Sequence, residues 1–190
     1  MNQVLRLIGI LIDPSAEWSK IEKEPGDPLY LMSRYVVYLA LVPAVFEFIG
    51  SSLIGATVPG GVVHASLLDG LLGALFLYLE SFAAVLLLGL FIGVAAPLFG
   101  GRANFPNAFK LAVYSSTPVW LAGVFLLLPG LRFLMLTGLY GIYLLVLGLP
   151  ALMKSPVRRS AGFAMLVVVF ACALTYVAAT AQYMLFALPV

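Results

Sequence analysis

The chain has 190 residues, 63% of them hydrophobic and 9% charged, with a formal net charge of +2. A soluble domain carries about 25% charged residues, and a water-soluble fold of this length must wet more surface than so apolar a composition allows. Lipid is therefore the consistent solvent, and the small net charge gives no reason to expect a nucleic-acid partner.

Residues 1–30 read as an amphipathic interfacial segment. Val4, Leu5, Ile8, Leu11 and Ile12 recur at helical spacing. The apolar stretch is interrupted by Arg6 and followed at once by Asp13-Pro14, with no small-residue cleavage pattern, which argues against a signal peptide. Asp13 can cap a second short helix with Pro14 at its first position. Within it Trp18 and Ile21 are apolar at i, i+3 and flanked by Glu17, Lys20, Glu22, Lys23 and Glu24. Such a pair of helices lies on a membrane surface rather than crossing it. Pro25-Gly26-Asp27-Pro28 ends the segment.

Residues 31–190 read as an all-α bundle of five membrane spans, each close to the roughly 20 apolar residues a spanning helix needs. The predicted spans are Leu31 to Ile54, Leu71 to Phe99, Phe109 to Leu128, Leu131 to Met153 and Ala161 to Leu185. No strand alternation occurs within them, which excludes a β-barrel. Pro43 and Pro118 each remove a helical hydrogen bond and predict kinks in spans one and three. The hydroxyls of Tyr114-Ser115-Ser116-Thr117 can bond carbonyls one turn back to repair the break at Pro118, or they can line a cavity. Gly89 and Gly93 form a GxxxG pattern, and Gly138, Gly141 and Gly148 form a second small-residue face. These faces suit helix packing within one bundle or a homo-oligomer contact. Cys172, the single cysteine, reads as a small core residue.

Orientation follows from lysine and arginine in the short loops. Arg6, Lys20, Lys23, Arg34, Arg102, Lys110, Lys154, Arg158 and Arg159 fall on one side, nine of the ten positive residues, and Arg132 alone falls on the other. The expected location is a cell membrane (the inner or plasma membrane), multi-pass, with the N-terminus cytoplasmic.

Two carboxylates, Glu47 and Glu80, lie inside spans, where a charge costs roughly 2.5–3.5 kcal/mol on insertion scales. Counting from the cytoplasmic ends at 1.5 Å per residue places Glu47 about 20 Å deep and Glu80 up to about 28 Å deep. Three readings compete. Each Glu can be protonated or bonded to Thr175, Thr180, Gln182 or Tyr183; one can pair with Arg132; or both can form a proton or cation site.

His64 has no partner His or Cys and makes a poor metal ligand. No nucleophile elbow, Walker lysine, HExxH or dinucleotide loop is present, so neither catalysis, a metal nor a cofactor is implied. The expectation is a non-enzymatic membrane protein acting by interaction or scaffolding. Its partners would be the lipid bilayer and either further copies or other membrane proteins. The alternative is a small transporter or channel using Glu47 and Glu80, with Ser115, Ser116 and Thr117 at the other end.

The layout resembles a known family. Asp13-Pro14-Ser15-Ala16-Glu17-Trp18 precedes the spans, the run from Ala108 through Lys110 and Tyr114 to Pro118 leads into span three, and span four carries Tyr140-Gly141-Ile142-Tyr143 and Leu147-Gly148-Leu149. Together these resemble the Yip1-domain family in its compact prokaryotic form. The resemblance implies a five-span bundle with a cytoplasmic N-terminus. Eukaryotic members are linked to vesicle traffic, Rab GTPases and partners of their own family, through a long cytoplasmic N-terminal region that has no match in these residues. No family catalytic residue maps onto this sequence.

Overall fold

A computed structural model describes residues 3–59 and 61–186. Two short helices, α1 (Gln3–Ile12) and α2 (Pro14–Lys23), precede five helices long and apolar enough to cross a membrane. These spans run over Pro28–Ile54, Leu67–Phe99, Phe105–Leu127, Pro129–Met153 and Val157–Leu185. All five begin two to four residues before the hydropathy pattern does, and at three of them the reason lies in local capping. The Asp27 carboxylate accepts from the amides of Leu29 (3.0 Å) and Tyr30 (3.3 Å). The Ser66 hydroxyl accepts from the Asp69 amide at 3.1 Å, and the Asn104 side chain accepts from the Asn107 amide at 3.0 Å. Each satisfies a donor that the first helical turn leaves unpaired.

Proline and glycine shape the spans. Pro43 has no amide hydrogen for the carbonyl four residues earlier, and the first span is interrupted at Ala40. The same span has π-helical turns at Met32–Val36 and Ile49–Ile54. The third span stays α-helical through Pro118 to Ala122 and then tightens to 3₁₀ over Gly123–Leu127. The fourth starts as 3₁₀ helix over Pro129–Leu139 and becomes α-helical from Tyr140. Between the first two spans, β1 (Ala56–Val58) and β2 (Gly61–Val63) pair antiparallel in a two-stranded hairpin outside the bundle.

The third span is the hub. Buried residues make up 61% of its apolar window, against 33% in spans one, two and four and 17% in span five. Small residues let its neighbours approach. A Cβ on Gly89 would lie 3.1 Å from Phe109 Cα, and one on Gly93 would lie 3.6 Å from Ala108 Cβ. From the fourth span, a Cβ on Gly141 would lie 2.4 Å from the Ser115 carbonyl oxygen, and one on Gly138 would lie 3.1 Å from Val119 Cα. Gly89 and Gly93 are therefore turned into the bundle, and the oligomer reading of that pair gives way to intramolecular packing. The fifth span is fixed to the second by two stacked ring pairs, Phe91–Phe170 at 4.0 Å and Phe99–Phe163 at 4.7 Å.

Candidate functional site

The densest polar chemistry lies at the end of the bundle that carries the basic loops. Helix α1 has two faces of unusual kind. Val4, Leu5, Ile8 and Ile12 are exposed, while Arg6 and Ile10 are turned inward and buried. The Arg6 guanidinium bonds the carboxylates of Glu17 in α2 and Glu24 just beyond it. Glu17 is itself buried and also receives Lys20 Nζ at 2.8 Å. A charge with so little access to water is tolerated only when it is paired and hydrogen-bonded.

The second half of the cluster comes from the third span. Lys110 is 3% exposed and its ammonium donates to the carbonyls of Ile21 (2.9 Å) and Glu24 (2.5 Å) and to Asn107 Oδ1 (3.4 Å). Its three hydrogens are thereby used. The two carbonyls belong to the C-terminal end of α2, where a helix leaves acceptors unpaired and its dipole favours a cation. Trp18 of α2 is buried against Gly148 of the fourth span and meets Tyr114 edge-on, with centroids 6.2 Å apart. Tyr114 meets Tyr35 at 5.0 Å, and the Tyr35 and Thr117 hydroxyls share a hydrogen bond of 2.9 Å.

Two further tethers hold the helices down. The Tyr140 hydroxyl donates to the Leu11 carbonyl at 2.9 Å, and Lys154 pairs with Glu22. The hydrogen bond from Lys154 holds the Glu22 carboxyl below its usual range. Between the cluster and the start of the first span lies a cleft of about 480 Å³, lined by residues that include Arg6, Glu24, Tyr30, Lys110 and Tyr114. The arrangement presents ion pairs and backbone hydrogen bonds, with no nucleophile beside a base. It is a lock between an interfacial helix pair and the spans.

The intramembrane carboxylates are not brought together. Arg132 Nη2 lies 3.0 Å from both Glu47 oxygens, joining the first span to the start of the fourth. Gly70 packs on Ser52, which aligns the first two spans. Glu80 lies ten residues from that contact and Glu47 five, about 15 Å and 7.5 Å along the axes. Glu80 shares a helical stripe with Gly73 and Phe91, which face Gln182 and Phe170 of the fifth span. Among the described residues, no hydrogen bond or ion pair reaches Glu80. Thr175 and Thr180 turn back to the carbonyls of Ala171 (3.0 Å) and Tyr176 (2.9 Å) of their own helix. The two carboxylates thus differ by about 7.5 Å in depth, and Glu47 is engaged by Arg132 rather than by Glu80.

The hydroxyl run of the third span also divides. Ser116 bonds back to the Ala112 carbonyl at 2.8 Å, Thr117 crosses to Tyr35, and the buried Ser115 hydroxyl has no partner. Tyr114 lines the cleft at the basic end, whereas Ser115 and Ser116 line a separate apolar groove between the fourth and fifth spans. Among the described residues no single polar path uses all four, so this run gives the transporter reading no support. Cys172 is exposed on the wall of that groove, not in the core. Sequence reasoning read Arg6 as an interruption of an apolar stretch, Glu17 as a flank of Trp18 and Ile21, and Lys110 as a loop charge, and did not join them. The signal that could have corrected it was Arg6 alone opposite an apolar stripe, and Lys110 alone in the run Ala108–Tyr114.

A family model described as Yip1 domain matches residues 8–179. The Inner membrane protein YohC of Escherichia coli K12 is 28% identical over 151 residues, covering 77% of each chain, and its counterpart in the O6:H1 strain CFT073 matches equally. No solved structure matches.

Proposed function

The chain belongs to the Yip1 domain family, and from that premise we propose that it is a non-enzymatic protein that works by interaction, as a membrane-organising or scaffold factor. The observation that carries this reading is the lock. It fixes α1 to the spans with Arg6 inward and Val4, Leu5, Ile8 and Ile12 outward. A helix so placed inserts its outer face among headgroups and acyl-chain ends, while its inner face is held by the bundle. The unit presented to the surroundings is then one rigid surface of interfacial helix and basic loops. Lys20, Lys23, Arg34, Arg102, Arg158 and Arg159 supply exposed cations on it, which attract anionic headgroups. We place this end in the cytoplasm, on the loop charges, and the protein in an inner or plasma membrane, on its similarity to the inner membrane protein of Escherichia coli. Residues 1–30 form the interfacial module and 31–190 the spanning module of this proposal.

Reconstitution in anionic vesicles tests it. Copies carrying donor or acceptor dyes on a cysteine at Val62, in a Cys172→Ser background, should transfer energy above the level of randomly mixed membrane proteins. Leu5→Asp with Ile8→Asp should lower that transfer while the spans stay folded. Random-level transfer in the parent protein, or rapid collapse of an imposed proton gradient, would contradict the interaction reading.

A further inference from the structure

The groove between the fourth and fifth spans has a built polar end that the lock does not involve. Its volume is about 840 Å³, within the roughly 300–1,000 Å³ of small-molecule sites. Its walls are apolar, from residues such as Leu136, Ile142, Val168 and Ala171. Ser115, 7% exposed and with no hydrogen-bond partner, lies in its floor. Arg132 lies at its other end, beside the Pro129-Gly130 turn between the third and fourth spans.

Arg132 is the informative residue. It is the one cation on the side opposite the basic loops. Its contacts with Glu47 both run through Nη2. A guanidinium carries five N–H donors, so those on Nε and Nη1 meet no protein acceptor among the described residues. Donors of this kind suit a phosphate oxygen, and Arg recognises phosphate with directed bonds. The Glu47 carboxylate beside it cancels the charge of the pair, so the pair does not select a net anion. It matches a headgroup in which a phosphate and a hydrogen-bonding ammonium stand side by side.

We propose that this groove binds one phospholipid with a primary-amine headgroup, in the leaflet opposite the basic loops. The phosphate accepts from Arg132, the ammonium donates to Glu47, and an acyl chain fills the groove between the spans. The hydrocarbon walls supply most of the contact, and the Arg132–Glu47 pair supplies the choice of headgroup.

Native mass spectrometry of the full chain released from mixed vesicles reads this directly. With equal amounts of phosphatidylethanolamine, phosphatidylglycerol and phosphatidylcholine, one phosphatidylethanolamine should stay bound as detergent is removed, favoured by roughly tenfold, the scale of one charge-assisted hydrogen bond. Glu47→Gln with Arg132→Gln removes both charges together and leaves neither unpaired, and it should abolish the preference. Cys172→Trp projects into the groove from an exposed position and should displace the lipid with the headgroup pair intact. A bound lipid should also slow alkylation of Cys172 by a membrane-permeable maleimide. Equal retention of the three lipids, or a preference that survives both changes, would mean bulk annular lipid only and would overturn the proposal. So would preferential retention of phosphatidylglycerol, which calls for a net positive site.

Discussion

Arg6 lies where water scarcely reaches it, and its charge is tolerable there because Glu17 and Glu24 face it. Removing Arg6 leaves the buried Glu17 with only the exposed Lys20 as its charge partner, so the cost falls below the roughly 3–5 kcal/mol of a wholly uncompensated buried charge. Arg6→Gln should therefore release α1 and α2 without unfolding the spans, since the bundle core is built from other residues. Amide exchange in nanodiscs should show lost protection over residues 3–23 and unchanged protection in the third span. Exchange that is unchanged over 3–23 would mean that the packing of Trp18 and Ile21 alone holds the helices. Glu22 makes a separate, acid-side prediction. Lys154 depresses its pKa below the usual 4.5 in the folded protein, so the tether contributes above that value and is lost as pH falls through the lower, folded value. Protection at the end of α2 should drop on acidification below about pH 4.5 in the parent protein, and Glu22→Gln should flatten that drop. The group is exposed, so the effect is confined to this end and weakens with salt.

Glycine placement makes the elements fit. Ser115 of the third span and Gly141 of the fourth approach so closely that a Cβ on Gly141 would lie 2.4 Å from a backbone oxygen. Backbone cannot swing aside as a flexible side chain can, so Gly141→Ala should cost about 1–3 kcal/mol of overpacking. A lowered midpoint in sodium dodecyl sulfate titration, with unchanged oligomer size, is the expected result. Gly130→Ala, where nothing lies within 4 Å of a built Cβ, is the control. A larger loss at Gly130 than at Gly141 would refute this packing. The existence and order of the spans, and the break that Pro43 imposes, were legible because hydropathy and a missing amide hydrogen are local properties. The span starts were less so. A window of apolar residues reports the bilayer core, whereas the helices begin at Asp27, Ser66 and Asn104, polar residues that such a window discounts.

For the whole molecule, the third span is the axis around which two separate polar systems are arranged, the lock at the basic end and the Glu47–Arg132 pair at the other. The pair was legible as one of the three readings of the intramembrane carboxylates, and the structure forms it; the lock was not legible as a site. The lock joins Arg6, Glu17, Glu24 and Lys110 across three elements, and the Lys110 ammonium reaches a carbonyl 86 positions away only once the helices are docked. Charge counting recorded Arg6 and Lys110 as part of a loop bias, without the contacts that bury them. That bias still makes the molecule's global prediction. A chain inserts so that short loops rich in lysine and arginine stay on the cytoplasmic side, and burying Arg6 and Lys110 in the folded state does not remove them from that choice, which is made during insertion. Without those two, the basic end still keeps seven positive residues against Arg132 alone. In a Cys172→Ser background, a cysteine at Val62 in the hairpin should therefore react with an impermeant maleimide on intact cells. One at Arg158 should react only after permeabilisation. The reverse pattern would invert the molecule and move the lock to the outer surface. It would also transfer the Arg132 lipid site to the cytoplasmic leaflet, so this experiment fixes which leaflet each of the two polar systems meets.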